Sequence, residues 1–60
     1  MKEKLFLWLE DFDNIELDSD SRREQLEEAV RDFNEENNTT YHPMVAFKMY
    51  EQWRMQNQEL

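Results

Sequence analysis

The chain has no cysteine, no glycine, one proline and one histidine among its 60 residues. The missing thiols exclude a disulfide framework, and a lone His42 removes the usual nitrogen-and-sulfur zinc sets. Without glycine, tight hairpins that need positive φ are disfavoured, so a strand-rich fold is not expected. There is no apolar run long enough for a membrane span, because the stretch after Lys2 and Lys4 breaks at Glu10 and Asp11. No signal peptide fits either. A cytoplasmic location is the default expectation.

What is present is acid. Fifteen Asp and Glu against seven Lys and Arg give a formal net charge of -8. Residues 10–36 carry twelve of the acids against three arginines, a local net of -9. Phosphate backbones and anionic lipid would repel such a chain, so neither direct nucleic-acid binding nor membrane binding is expected. Basic protein surfaces are the favoured partners. With 38% hydrophobic and 13% aromatic residues the chain is richer in core-forming groups than a disordered tail.

The expected fold is all-α, a small three-helix domain spanning 1–60 with a short first helix at 3–12, an acidic amphipathic helix at 21–37 and a C-terminal helix at about 43–58. Leu5, Trp8, Leu9 and Phe12 follow the i, i+3, i+4, i+7 spacing of one helical face, with Phe6 and Leu7 outside it. The run Leu5–Leu9 is short and wholly apolar, and a buried strand over residues 4–9 satisfies the same pattern. Residues 13–20 read as a connector, since Asp, Asn and Ser compete for backbone hydrogen bonds. Ile15 and Leu17 are its candidate anchors to the core.

Ser21 and Glu24 have capping-box spacing and place the start of the second helix. Leu26, Ala29, Val30 and Phe33 form its core stripe, while Glu24, Glu28 and Glu35 project from the opposite side. Glu27 and Arg31 are spaced for an i, i+4 pair; Glu24 with Glu28, and Glu28 with Asp32, are like-charge pairs that cost a few tenths of a kcal/mol each, roughly. Asn37-Asn38 supplies a left-handed stop where glycine is missing. Pro43 opens the third helix, whose inward stripe is Ala46, Met49, Tyr50, Trp53 and Asn57. The expected core is Leu5, Trp8, Leu9, Phe12, Leu26, Val30, Phe33, Met49, Tyr50 and Trp53.

A catalytic reading lacks a nucleophile beside a base: Ser19 and Ser21 sit among acids with no histidine near, and capping accounts for them. Sixty residues also leave little room for a pocket of ~300 Å³ or more. An EF-hand loop starting at Asp18 fails, because its fifth position is Arg22 and its sixth lacks glycine. No metal, cofactor or catalytic residue is therefore assigned. His42 reads as a local packing or solvent-facing group, and Trp8 and Trp53 read as core-packing anchors.

Two surfaces remain as candidates. The first is the acidic face formed by Asp13, Glu16, Asp18, Asp20, Glu24, Glu28, Asp32 and Glu35. Carboxylates at i, i+3 and i+4 stand about 5–6 Å apart on a helix, near the spacing of phosphates along a strand. The expected function on this face is a non-enzymatic inhibitor or regulator that occupies a basic groove, including that of a nucleic-acid-binding protein, in the manner of a nucleic-acid mimic. The compact acidic helical composition is similar in style to small virus-encoded inhibitors and nucleic-acid mimics, a resemblance carried by no motif. The second surface, the off-stripe residues Phe6, Leu7, Met44, Phe47 and Met55, suits a structural or adaptor module that homodimerises or docks a partner helix. A helix-turn-helix DNA reader ranks below both, since the last helix offers only Lys48 and Arg54.

Overall fold

In the computed structural model, which describes residues 2–57, three helices follow one another: α1 Lys2–Phe12, α2 Ser19–Asn37 and α3 Pro43–Asn57. Each helix packs on the other two. The buried core is Leu5, Phe6 and Leu9 of α1, Leu26, Ala29, Val30 and Phe33 of α2, and Ala46 and Tyr50 of α3. Trp8, Tyr41, Phe47, Met49 and Trp53 pack around it, partly buried. The all-α expectation and the stripe on α2 are what the chain adopts. The side chain of Asn57, expected inward, and Gln58 lie outside the described residues.

On α1 the inward arc differs from the expected stripe. Phe6 is only 8% exposed and its ring lies 5.4 Å from that of Trp53, whereas Phe12 is 39% exposed and stacks on Trp8. Phe6 is buried because it meets Trp53 of α3, and Phe12, in the last turn of α1, covers Trp8 from the outside. Trp8, at the edge of that arc, keeps its indole N–H satisfied by donating to the Ala29 carbonyl at 3.0 Å.

The start of α2 also differs. Asp18, not Ser21, is the N-cap: its Oδ1 accepts the Ser21 amide at 2.8 Å, and its carbonyl takes the Arg22 amide at 2.9 Å. An ionised carboxylate is a stronger acceptor than a serine hydroxyl, and its charge suits the positive end of the helix. That bond to Ser21 holds the Asp18 carboxyl below its ordinary value. The connector before it turns on Asn14, whose Oδ1 accepts the Glu16 amide and whose carbonyl accepts that of Leu17. Leu17 is half-buried, but Ile15 is 74% exposed and does not anchor the connector. Polar groups do that work instead: Gln25 donates to the Phe12 carbonyl at 3.0 Å, closing the end of α1.

Asn38 ends α2 in the left-handed conformation, φ 56° and ψ 46°, with its amide on the Asn34 carbonyl. The Asn34 side chain then organises the turn into α3. Its Nδ2 donates to the Tyr41 carbonyl at 2.8 Å, while its Oδ1 accepts from the Thr39 hydroxyl at 2.8 Å and the Tyr41 amide at 3.0 Å. His42 caps α3 through Nδ1, which accepts the Met44 amide at 3.2 Å, and Pro43 occupies the first helical position. Replacing Asn34 by Ala strands these partly buried loop groups and is expected to cost about 1–3 kcal/mol in denaturant unfolding. Asn34→Asp restores the two acceptor contacts but not the donor, so its loss should fall between.

Candidate functional site

The side chains of the expected acidic face divide into two sets. Asp13 does not stand on the surface with the others. Its side chain is 5% exposed at the point where all three helices meet. Arg22 grips it bidentately, Nε to Oδ1 at 2.6 Å and Nη2 to Oδ2 at 2.8 Å; the Tyr50 hydroxyl donates to Oδ2 at 2.7 Å, and Arg54 Nε stands 3.8 Å away. Arg22 Nη2 also reaches Glu51 Oε2 at 2.7 Å, and its guanidinium carbon lies 5.9 Å from the Phe47 ring centroid. Asp13 is thus corrected from a display residue to a structural junction.

Charges follow this geometry. The Arg22 hydrogen bond, against the opposing effect of burial, holds the Asp13 carboxyl below its ordinary value, with Tyr50 and the nearby charges of Arg22 and Arg54 acting in the same direction. Arg22 is pushed further up by the same carboxylate, and Tyr50 rises chiefly because it is buried. Both arginines of the junction are spent on internal acids. Among the described residues the remaining ion pair, Arg23 with Glu27 at 4.0 Å, runs along α2, in place of the expected Glu27–Arg31 pairing.

The other seven acids of the expected face, Glu16, Asp18, Asp20, Glu24, Glu28, Asp32 and Glu35, are all exposed. Among the described residues none of them makes an ion pair. Asp20, Glu24, Glu28 and Asp32 succeed one another at i, i+4 along the outer side of α2, and Glu35 lies two turns beyond Glu28. Arg31 is the single cation within this row. The last turn of α2 contains Glu35 and Glu36 and no basic residue, the reverse of what the negative end of a helix favours.

The expected apolar surface does not form as one patch. Phe6 is in the core and Phe47 is partly buried beside Arg22. Leu7, 51% exposed, belongs to α1; Met44 and Met55, 48% and 71% exposed, belong to α3 together with Val45, 53% exposed.

A cleft of about 550 Å³ opens between the connector, the start of α2 and α3, lined by apolar Ile15, Leu17 and Phe47 and by Arg22, Arg23 and Arg54 among others. It is larger than the chain length suggests, and it is open to solvent. No histidine lines it, and its one hydroxyl is Ser19. Among the described residues no cluster of three or more metal-ligating side chains exists, and no helix is long and apolar enough to cross a membrane.

The fold and site define an acidic three-helix protein with one heavily charged helix face. Compared with protein-family models, curated proteins and solved structures, the chain matches none.

Proposed function

We propose that the chain is a non-enzymatic binding protein that inhibits or regulates a basic protein, with a nucleic-acid-binding protein as the natural target, by presenting the outer row of α2. The observation that carries this reading is the division of the acids. Asp13 is neutralised by arginines inside the fold and Glu51 shares Arg22 through one oxygen, while Asp20, Glu24, Glu28, Asp32 and Glu35 are exposed and make no ion pair among the described residues. Like charges at i, i+4 and two glutamates in the last turn each work against helix stability by tenths of a kcal/mol, roughly. A surface needed only for solubility has no reason to concentrate that cost on one helix, since alternated charges keep a protein soluble as well.

Long-range attraction between this row and a basic groove accelerates encounter, and rigid spacing on a helix lets several carboxylates meet several cations together. Connector residues Glu16 and Asp18 extend the charged surface beyond the helix start. Nucleic acid and this protein would then compete for one groove.

The test is capture from a lysate on the immobilised chain. Proteins bound at ~50 mM salt should be released by ~0.5 M salt, where charge interactions are screened within a few Å. They should also be displaced by added duplex DNA. A triple variant, Glu24→Lys, Glu28→Lys and Glu35→Lys, keeps its helix content by circular dichroism and loses the bound proteins. Retention through high salt, or capture undiminished by the triple variant, removes the electrostatic reading.

A further inference from the structure

We propose that the outer stripe of α3 is a self-complementary surface through which two copies of this chain pair antiparallel about a two-fold axis. The proposal goes beyond the acidic-face reading and rests on a different helix. Met44, Lys48, Glu51 and Met55 follow one another at spacings of four, three and four, the heptad seam of a helix that packs against another helix. Met44 and Met55 are 48% and 71% exposed, Lys48 is exposed, and the Glu51 side chain is 37% exposed. The opposite side of α3 already faces the core through Ala46 and Tyr50.

The occupant is indicated by symmetry and charge. The four positions are arranged evenly about a centre between Met49 and Tyr50, so a two-fold axis there sets Met44 against Met55 of the other copy and Lys48 against its Glu51, each twice. A two-fold interface requires such self-complementarity. Parallel packing would instead oppose Lys48 to Lys48 and Glu51 to Glu51, which is repulsive.

Lys48 makes no ion pair among the described residues. Glu51 gives Oε2 to Arg22, which leaves Oε1 as the atom available to a lysine from outside. Both side chains are long enough to reach across an interaxial distance of about 8–10 Å, and methionine adapts its shape to such contacts. The stripe is also electrically neutral, one lysine and one glutamate, on a chain of net charge -8.

One helix stripe buries less than the ~1,200 Å² of a stable interface, so the dimer should be weak, with dissociation in the range of roughly 10 µM to 1 mM. Sedimentation equilibrium at physiological salt should show the mass rising from one chain to two across that range. Lys48→Glu should weaken dimerisation about tenfold or more, and so should Glu51→Lys. An equimolar mixture of the two variants should restore it, since every facing pair across the axis is then again one acid and one base. Because Glu51→Lys also loses the Arg22 contact, Met55→Glu serves as the second probe at a residue outside the core, and it too should give a monomer of unchanged helix content. A wild-type mass of one chain up to ~1 mM overturns the proposal, as does a Lys48→Glu or Met55→Glu protein that dimerises like wild type.

Discussion

Asp13→Ala is expected to remove about half of the stability of the chain. The substitution leaves Arg22, whose side chain is 16% exposed, and the fully buried Tyr50 hydroxyl without the carboxylate that both contact. Breaking a buried pair by deleting one partner costs about 3–5 kcal/mol, and the residual exposure of Arg22 lowers that to about 2–4. A domain of this size has a total of roughly 3–9 kcal/mol. Urea unfolding should therefore show a midpoint at about half the wild-type denaturant concentration. Asp13→Asn keeps an acceptor for Tyr50 and should lose less. A loss below about 1 kcal/mol for Asp13→Ala would show that the junction is ornamental.

The same group gives a pH signature. Its folded-state pKa lies below the unfolded value of about 3.9, so its contribution is present above pH ~4 and is lost as pH falls through the folded value. Wild-type stability should drop on acidification below pH ~4 by more than that of Asp13→Asn, which has no proton to take up at this position. Parallel curves for the two proteins would place the linkage elsewhere.

The second large effect is expected at Phe33. This residue is 4% exposed, and its ring meets Trp8 edge-on at 5.6 Å and Tyr41 at 6.1 Å, joining α1, α2 and the turn before α3. Phe33→Ala deletes the group filling that space and should cost about 3–5 kcal/mol. Phe33→Leu keeps most of the volume and should cost under about 1.5 kcal/mol. Thermal unfolding followed by near-ultraviolet dichroism separates the two, because the Trp8 environment depends on this ring. Equal losses for Ala and Leu would mean that ring contacts, and not filled volume, decide the site.

The helices were legible because apolar spacing reports a face directly. On α2 one helix meets its neighbours along one stripe, and Leu26, Ala29, Val30 and Phe33 are the buried set that the spacing indicates. Phe6 was misplaced because its burial comes from Trp53 of α3, a contact distant in sequence that the spacing along α1 does not report. Helix and strand patterns coincide over Leu5–Leu9, a run too short for periodicity to separate them, and the chain is helical there. The cap at Asp18 was hidden by a second capping pattern three residues on, at Ser21.

Of the candidate site, exposure along α2 followed from the helix phase, but the fate of Asp13 did not. Nothing local distinguishes Asp13 from Asp11 or Asp18. Its partners Arg22, Tyr50 and Arg54 are distant in sequence, and only the packing of α1 and α2 on α3 brings them together. The role of Asn34 was invisible for a related reason, since a mid-helix asparagine looks like a surface residue until the following turn folds back onto it.

One side chain just past α1 fastens to a residue in the first turn of α2 and to two in the second half of α3. The connector, the start of α2 and the middle of α3 are therefore fastened together, and backbone amides around Arg22 and Tyr50 should lose protection from solvent exchange in one common opening event. A protease that cuts the connector just after residue 13 separates this side chain from α2 and α3, and the nicked protein should be digested faster than the intact one.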